Sequence, residues 1–245
     1  MSKRFRGKPC VYCNAAPSTT TGDHVFAREF FLESRRANLP KVPACDACNN
    51  DKSKLEHYLT AVLPFGGRHN DSAEHLSTLV EPRLANNLRL HGELSGGLDQ
   101  TLSVERGVLM PVHNVPIDGE KIGQLFSFIA KALLWHHWQT TMNPESHGIW
   151  AGFLNPIGLQ LFSPFFASNN QVRENLGEGT FVYEGVRGTD DPEMSLWLFS
   201  IYGGMKLSGD PSTPTQECST IGAITATHGF MTKFATLLGG HHTEP

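Results

Sequence analysis

Apolar residues along the chain recur with two different rhythms, and these predict most of its elements. Leu55, Tyr58, Leu59, Val62 and Leu63 are spaced by threes and fours. That spacing predicts a helix starting near Asn49 with one apolar stripe, ended by Pro64-Phe65-Gly66-Gly67. Asp71-Ser72-Ala73-Glu74 reads as a capping box opening a helix with Leu76, Leu79 and Val80, which Pro82 breaks, kinks or restarts. Helix is expected again from Leu84 to Leu94, up to Gly96-Gly97. The strongest helical pattern runs from Gly119 to Thr140, with Ile122, Leu125, Phe126, Ile129 and Leu133 on one side, and such a stripe is core far more often than a cofactor surface.

Shorter segments are predicted as strands. Asp23-His24-Val25 and Leu39 to Ala44 are expected to be a first and a second strand, with a short amphipathic helix between them over Phe26 to Ala37. Residues 101–112 read as a hairpin. From about Gly148 the pattern becomes a series of short strands over Ile157 to Phe162, Thr180 to Arg187, Ser195 to Tyr202, Met205 to Ser208 and Thr220 to Thr227. Gly203-Gly204 is the hairpin turn between two of them. The expected fold class is α+β: a small N-terminal unit over residues 1–66 and a larger mixed α+β unit over 67–245. The larger unit is expected to serve substrate positioning, dimerisation or recognition of a regulatory partner. A length of 245 residues is more than one small metal-bound unit can account for.

Cysteines change the picture most. Cys10 and Cys13 form one CxxC pair and Cys45 and Cys48 another, supplying the four thiolates of a closed tetrahedral zinc site. The segment between the pairs is longer than in an ordinary zinc ribbon and contains Asp23-His24. Met1–Pro9 is basic and lacks an apolar core, so it does not read as a secretory signal, and the fifth cysteine, Cys218, makes the count odd. Both points argue against two disulfides and for reduced thiols in the cytoplasm. Cys218 is expected to be a buried apolar side chain. His136-His137 does not suggest a second metal site, because neighbouring helical residues diverge by about 100°. His241-His242 lies in a polar tail.

Residues 8–60 resemble the HNH, or ββα-metal, nucleases in their zinc-stapled branch. The resemblance is carried by Cys10-x-x-Cys13, Asp23-His24, Val42-Pro43-Ala44-Cys45-x-x-Cys48-Asn49 and Lys52. It implies a structural zinc on the four cysteines, a catalytic Mg²⁺ or Mn²⁺ on Asp23 and Asn49, and His24 as general base. The family's middle Asn falls on Pro40 here, Asn38 being the nearest substitute. Asn50, beside the expected ligand, suits a cap for a helix beginning near Asp51.

The residue types suit phosphodiester hydrolysis in their own right. That reaction needs an aligned nucleophile and a cation to offset charge on the phosphoryl group and the leaving oxygen. An Asp and an Asn supply hard oxygens for Mg²⁺ or Mn²⁺ and leave room for water and phosphate, while a His with an ordinary pKa near ~6.5 is largely neutral and can accept a proton. Adjacent residues of a flat strand face opposite ways. Either the strand is bulged at Asp23, or metal and base approach the phosphate from different sides.

Net charge is −4 overall, yet residues 1–56 carry ten Lys and Arg against six Asp and Glu. The positive charge thus lies with the candidate site, as expected of a nucleic-acid partner, DNA first. Arg28, Arg35, Arg36 and Lys52 are the expected phosphate contacts. No apolar run is long enough for a membrane span. Two other readings stay open: a zinc knuckle that binds nucleic acid without cutting it, and a defence or toxin nuclease whose C-terminal part senses a partner.

Overall fold

The computed structural model describes residues 4–15, 20–105, 108–167, 171–205 and 219–237. After the Cys10–Cys13 turn, β1 (Thr20–His24) pairs antiparallel with β2 (Lys41–Cys45), and β2 passes without a break into α1 (Asp46–Val62). The register sets Asp23 opposite Val42 and His24 opposite Lys41. Cys45 occupies the N-cap position of α1 without a side-chain capping bond, so its sulfur stays available. The helix therefore begins at Asp46, earlier than expected, and Asn49 and Asn50 lie inside it. Asn50 does not cap it.

No helix covers 26–37. Single 3-10 turns at Arg28–Phe30 and Glu33–Arg35 are separated by extended residues. A helix offers one apolar stripe, whereas Val25, Phe26, Ala27, Phe30, Phe31 and Leu32 are all buried. Alternating turns and extended steps bury them in several directions, with Phe26 4.4 Å from the Phe181 ring.

Next come α2 (Asn70–His75), a π-type turn at Leu76–Val80, α3 (Glu81–Asn86) and α4 (Leu88–Gly96). Pro82 falls in the first turn of α3, where its missing N–H costs nothing. β3 (Asp99–Glu105) and β4 (Val108–Asn114) form the expected hairpin as a separate two-stranded sheet. The long helix α5 (Gly119–Trp138) is capped by Asp118, whose carboxylate accepts from the Lys121 N–H at 3.1 Å, and ends on Gln139 at φ 54°.

A five-stranded antiparallel sheet follows, in the order β5 (His147–Phe153), β9 (Ile221–Thr227), β8 (Ser195–Ile201), β7 (Phe181–Arg187) and β6 (Gln171–Leu176). Two helices, α6 (Pro156–Phe162) and α7 (His228–Leu237), complete the described chain. The strand expected over Ile157 to Phe162 is α6, because Asn155 caps it by accepting the Gly158 N–H at 2.7 Å and Pro156 presets its first turn. β5, β6 and α7 were not anticipated. Tyr202, Gly203 and Gly204 all have positive φ. After this turn Met205 makes an antiparallel bridge to Gly67; residues 206–208 of the expected strand, like Cys218, His241 and His242, lie outside the described residues.

Alternation along the strands produces two layers. Phe181, Tyr183, Trp197, Phe199, Ile221 and Ala223 face α5 and the N-terminal segment, while Val186, Leu196, Ile224 and Ala226 face α6 and α7 with Phe162 and Phe234. Gly185 is required opposite Trp197, since a Cβ there would lie 2.1 Å from the indole. The first of these layers also contains Phe5, Val11, Tyr12, Phe26, Phe30, Val42 and Leu59. The principal core therefore draws on residues from both sides of position 66.

Candidate metal centre and the Asp23–His24 cluster

Two elements bring the cysteines together. The turn at Cys10–Cys13 closes through Asn14 N–H donating to Cys10 O at 2.9 Å, with Asn14 in the left-handed region, and Val11 N–H fastens it to Pro43 O of β2 at 3.1 Å. Cys45 ends β2 and Cys48 lies in the first turn of α1. All four sulfurs lie within 4.8 Å of one another and none is in a disulfide. Burial pushes the Cys48 thiol well above the usual range, with the neighbouring sulfurs adding to it, and burial also raises Cys10. For Cys45, burial opposes ionisation, but the Cys48 N–H and the other thiols outweigh it and lower the pKa. Four sulfurs this close carry their full negative charge only around a cation, and the donor set fits a metal such as zinc. Among the described residues this is the one group of three or more His, Cys, Asp or Glu arranged to hold an ion.

Asp23 and His24 occupy the last two positions of β1 and look into different surroundings. Asp23 is 8% exposed, and its Oδ2 accepts from the Tyr12 hydroxyl at 2.6 Å and lies 3.3 Å from Lys52 Nζ. Lys52 is fully buried, and its ammonium donates to His24 O at 2.7 Å and to Glu56 Oε1 at 2.5 Å. A buried ammonium is tolerable only with such partners. Burial pushes Glu56 up to about 7, against the pull of Lys52. Burial likewise drives the Tyr12 phenol upward, reinforced by the Asp23 charge, so Tyr12 remains a hydrogen-bond donor.

Residues 49, 52 and 56 share one face of α1. Lys52 on that face touches β1; Asn49 is half-buried, whereas Asn50 is exposed. Both donors to Asp23 fall on Oδ2, so a cation shared with Asn49 would use Oδ1. His24 is half-buried, and across the hairpin from it is exposed Lys41. Burial lowers the His24 pKa, followed by the positive charge of Lys41, with Arg28 and Lys52 adding to it and Asp23 opposing. Its imidazole is therefore neutral at pH 7.

The expected phosphate contacts have mixed surroundings. Arg28 is exposed. Arg35 instead binds Asp71 at 2.9 Å, Glu178 at 3.2 Å and Gly177 O at 3.3 Å, clamping α2 to the turn before β7. Arg36 donates to Phe31 O at 3.0 Å, and buried Lys52 cannot reach a phosphate at the surface. Asn38 is exposed, with φ 58°, in the turn before β2. His137 is no ligand in this arrangement: its Nε2 lies 3.0 Å from the Tyr183 hydroxyl, and burial pushes it down to about 4.

Sequence reasoning missed Tyr12, Lys41, Glu56 and Lys131. Lys131 of α5 donates to Tyr12 O at 3.3 Å, and Phe128 packs edge-on against the Tyr12 ring at 5.0 Å. These two side chains also line an open groove of about 870 Å³ between α5 and β5, together with Gly119, Gly123, Ser127 and Trp150. Glu56 was legible as the i+4 partner of Lys52; the others depend on tertiary contacts. No family model matches the chain, and no curated protein or solved structure matches it either.

Proposed function

We propose that the chain is a metal-dependent endonuclease of the HNH type, with a zinc-stapled ββα-metal site, hydrolysing phosphodiester bonds in nucleic acid, with DNA as the substrate. The observation that carries this reading is the placement of Asp23, His24 and Asn49. The first two end one strand of a hairpin, the third lies about one turn inside the helix that continues the other strand, and the cysteine cluster joins both at their base. Zinc would occupy that cluster as a structural ion. Asp23 and Asn49 would hold the catalytic Mg²⁺ or Mn²⁺, which offsets charge on the phosphoryl group and leaving oxygen.

The chain's own contribution begins at His24. A neutral imidazole at the surface of the hairpin takes a proton from water, which attacks phosphorus in line with the departing 3′ oxygen. Exposed Lys41 and Arg28 lie around the same imidazole and give its approach a positive field that favours a phosphate. Buried Lys52 fixes the end of β1 by holding both the His24 carbonyl and the Asp23 carboxylate. Opposite faces of β1 for Asp23 and His24 suit cation and base on two sides of one phosphorus.

One observation favours a second reading, a zinc-bound module that binds nucleic acid without cutting it. Asp23 already receives Tyr12 and Lys52, enough to satisfy a buried carboxylate. Plasmid nicking with Mg²⁺ or Mn²⁺, set against the same reaction in EDTA, separates the two. Metal-dependent nicking supports the nuclease; retention of the plasmid without nicking supports the binding module.

A further inference from the structure

Tyr12 has two attachments that no other residue of the site combines. Its backbone lies inside the Cys10–Cys13 turn, so its position is set by whatever holds those sulfurs. Its hydroxyl reaches the Asp23 carboxylate at 2.6 Å in a buried bond. The ring is 5% exposed, braced edge-on by Phe128, and the carbonyl is held by Lys131. A phenol that is anchored at both ends has little freedom to follow a rotating carboxylate. It therefore selects one orientation of Asp23, with Oδ2 turned to the phenol and Lys52 and Oδ1 turned away.

We infer that Tyr12 is a positioning residue that couples the cysteine-bound ion and helix α5 to the catalytic cation, by fixing which oxygen of Asp23 is offered to it. This rests on the nuclease reading, in which Asp23 is a ligand. The coupling gives α5 a task beyond the core: Phe128 and Lys131 hold the residue that holds the ligand. Hydrogen-bond partners of metal ligands commonly change metal affinity by ~10–100-fold when removed, without being ligands themselves.

Tyr12→Phe removes only the hydroxyl. The full-length variant is compared with wild type by zinc content, by thermal unfolding, by Mn²⁺ binding followed through the EPR signal of free Mn²⁺, and by nicking against Mn²⁺ concentration. The expected result is unchanged zinc with Mn²⁺ binding and half-saturation of nicking both weakened by ~10–100-fold, and with nicking largely recovered at saturating Mn²⁺. A merely structural tyrosine would lower the unfolding temperature and leave Mn²⁺ affinity unmoved, which overturns the inference. Should Tyr12→Phe lose zinc, Lys131→Gln decides: weaker Mn²⁺ binding at full zinc content supports the coupling, and unchanged binding overturns it. Wild-type protein that neither binds Mn²⁺ nor nicks DNA sinks the nuclease reading and this inference together. Wild type that does both, beside a variant that matches it, sinks this inference alone.

Discussion

His24 and Asp23 are neighbours in the chain, but the strand gives them different environments, and that difference decides what each can do. Asp23 is nearly enclosed and stays where Tyr12 and Lys52 hold it. His24 is half exposed, with its pKa lowered by burial and then by Lys41. A base must be neutral to act, so nuclease activity should persist below the ordinary histidine range near ~6.5 and fall as pH drops through the lowered value. Lys41→Gln removes a positive charge, raises the His24 pKa, and should shift the acid limb of kcat/KM to higher pH. The same variant should reduce the slope of log affinity against log salt by about 0.9 on duplex DNA. Arg89→Gln, a highly exposed charge on α4, should do neither; an unmoved limb in Lys41→Gln would remove Lys41 from the site. The cysteine cluster was readable because each CxxC pair is a local spacing, whereas the roles expected of Asp23, His24 and Asn49 came from the resemblance and not from spacing. Tyr12 and Lys131 meet across 119 positions, and no local pattern signals such a contact. Lys52 was misread because a lysine near a helix start looks solvated, and only the fold shows that it is fully buried.

Elements show the same division between local and distant causes. The helices α1 and α5 and the strands β7, β8 and β9 followed from periodicity, because each buries a face that its own spacing already defines. The segment over 26–37 did not, because its consecutive apolar residues answer to Phe181, some 150 positions later (about 50 nm of extended chain). For α6 the alternation of Ile157, Leu159 and Leu161 suggested a strand, and the Asn155-Pro156 start outweighed it. At the junction of β2 and α1, Cys45 ends the strand, caps the helix and faces three other sulfurs. Cys45→Ser should therefore abolish zinc binding and unfold the hairpin and α1, since apparent zinc energies of ~10–16 kcal/mol exceed what a small unit can spare. Metal analysis and circular dichroism check this, and a variant with zinc and an unchanged melting curve would contradict it.

Across the whole molecule, one buried layer joins the hairpin segment to α5 and the five-stranded sheet. Phe181 is its meeting point, fully buried against Phe26, Phe126 and Phe199. Phe181→Ala should cost ~3–5 kcal/mol and bring zinc release and the loss of sheet signal to lower temperature together. Zinc release at the wild-type temperature would mean that the N-terminal unit stands alone. Among the described residues no helix is long and apolar enough to cross a membrane. In the nuclease reading proposed above, the activity turns on His24, and His24→Ala separates chemistry from folding. Purified wild type and His24→Ala should carry equal zinc and melt alike, while metal-dependent plasmid nicking falls by ~10²–10⁴-fold in the variant. Equal nicking by the two proteins, or no nicking by wild type with either Mg²⁺ or Mn²⁺, would contradict the account.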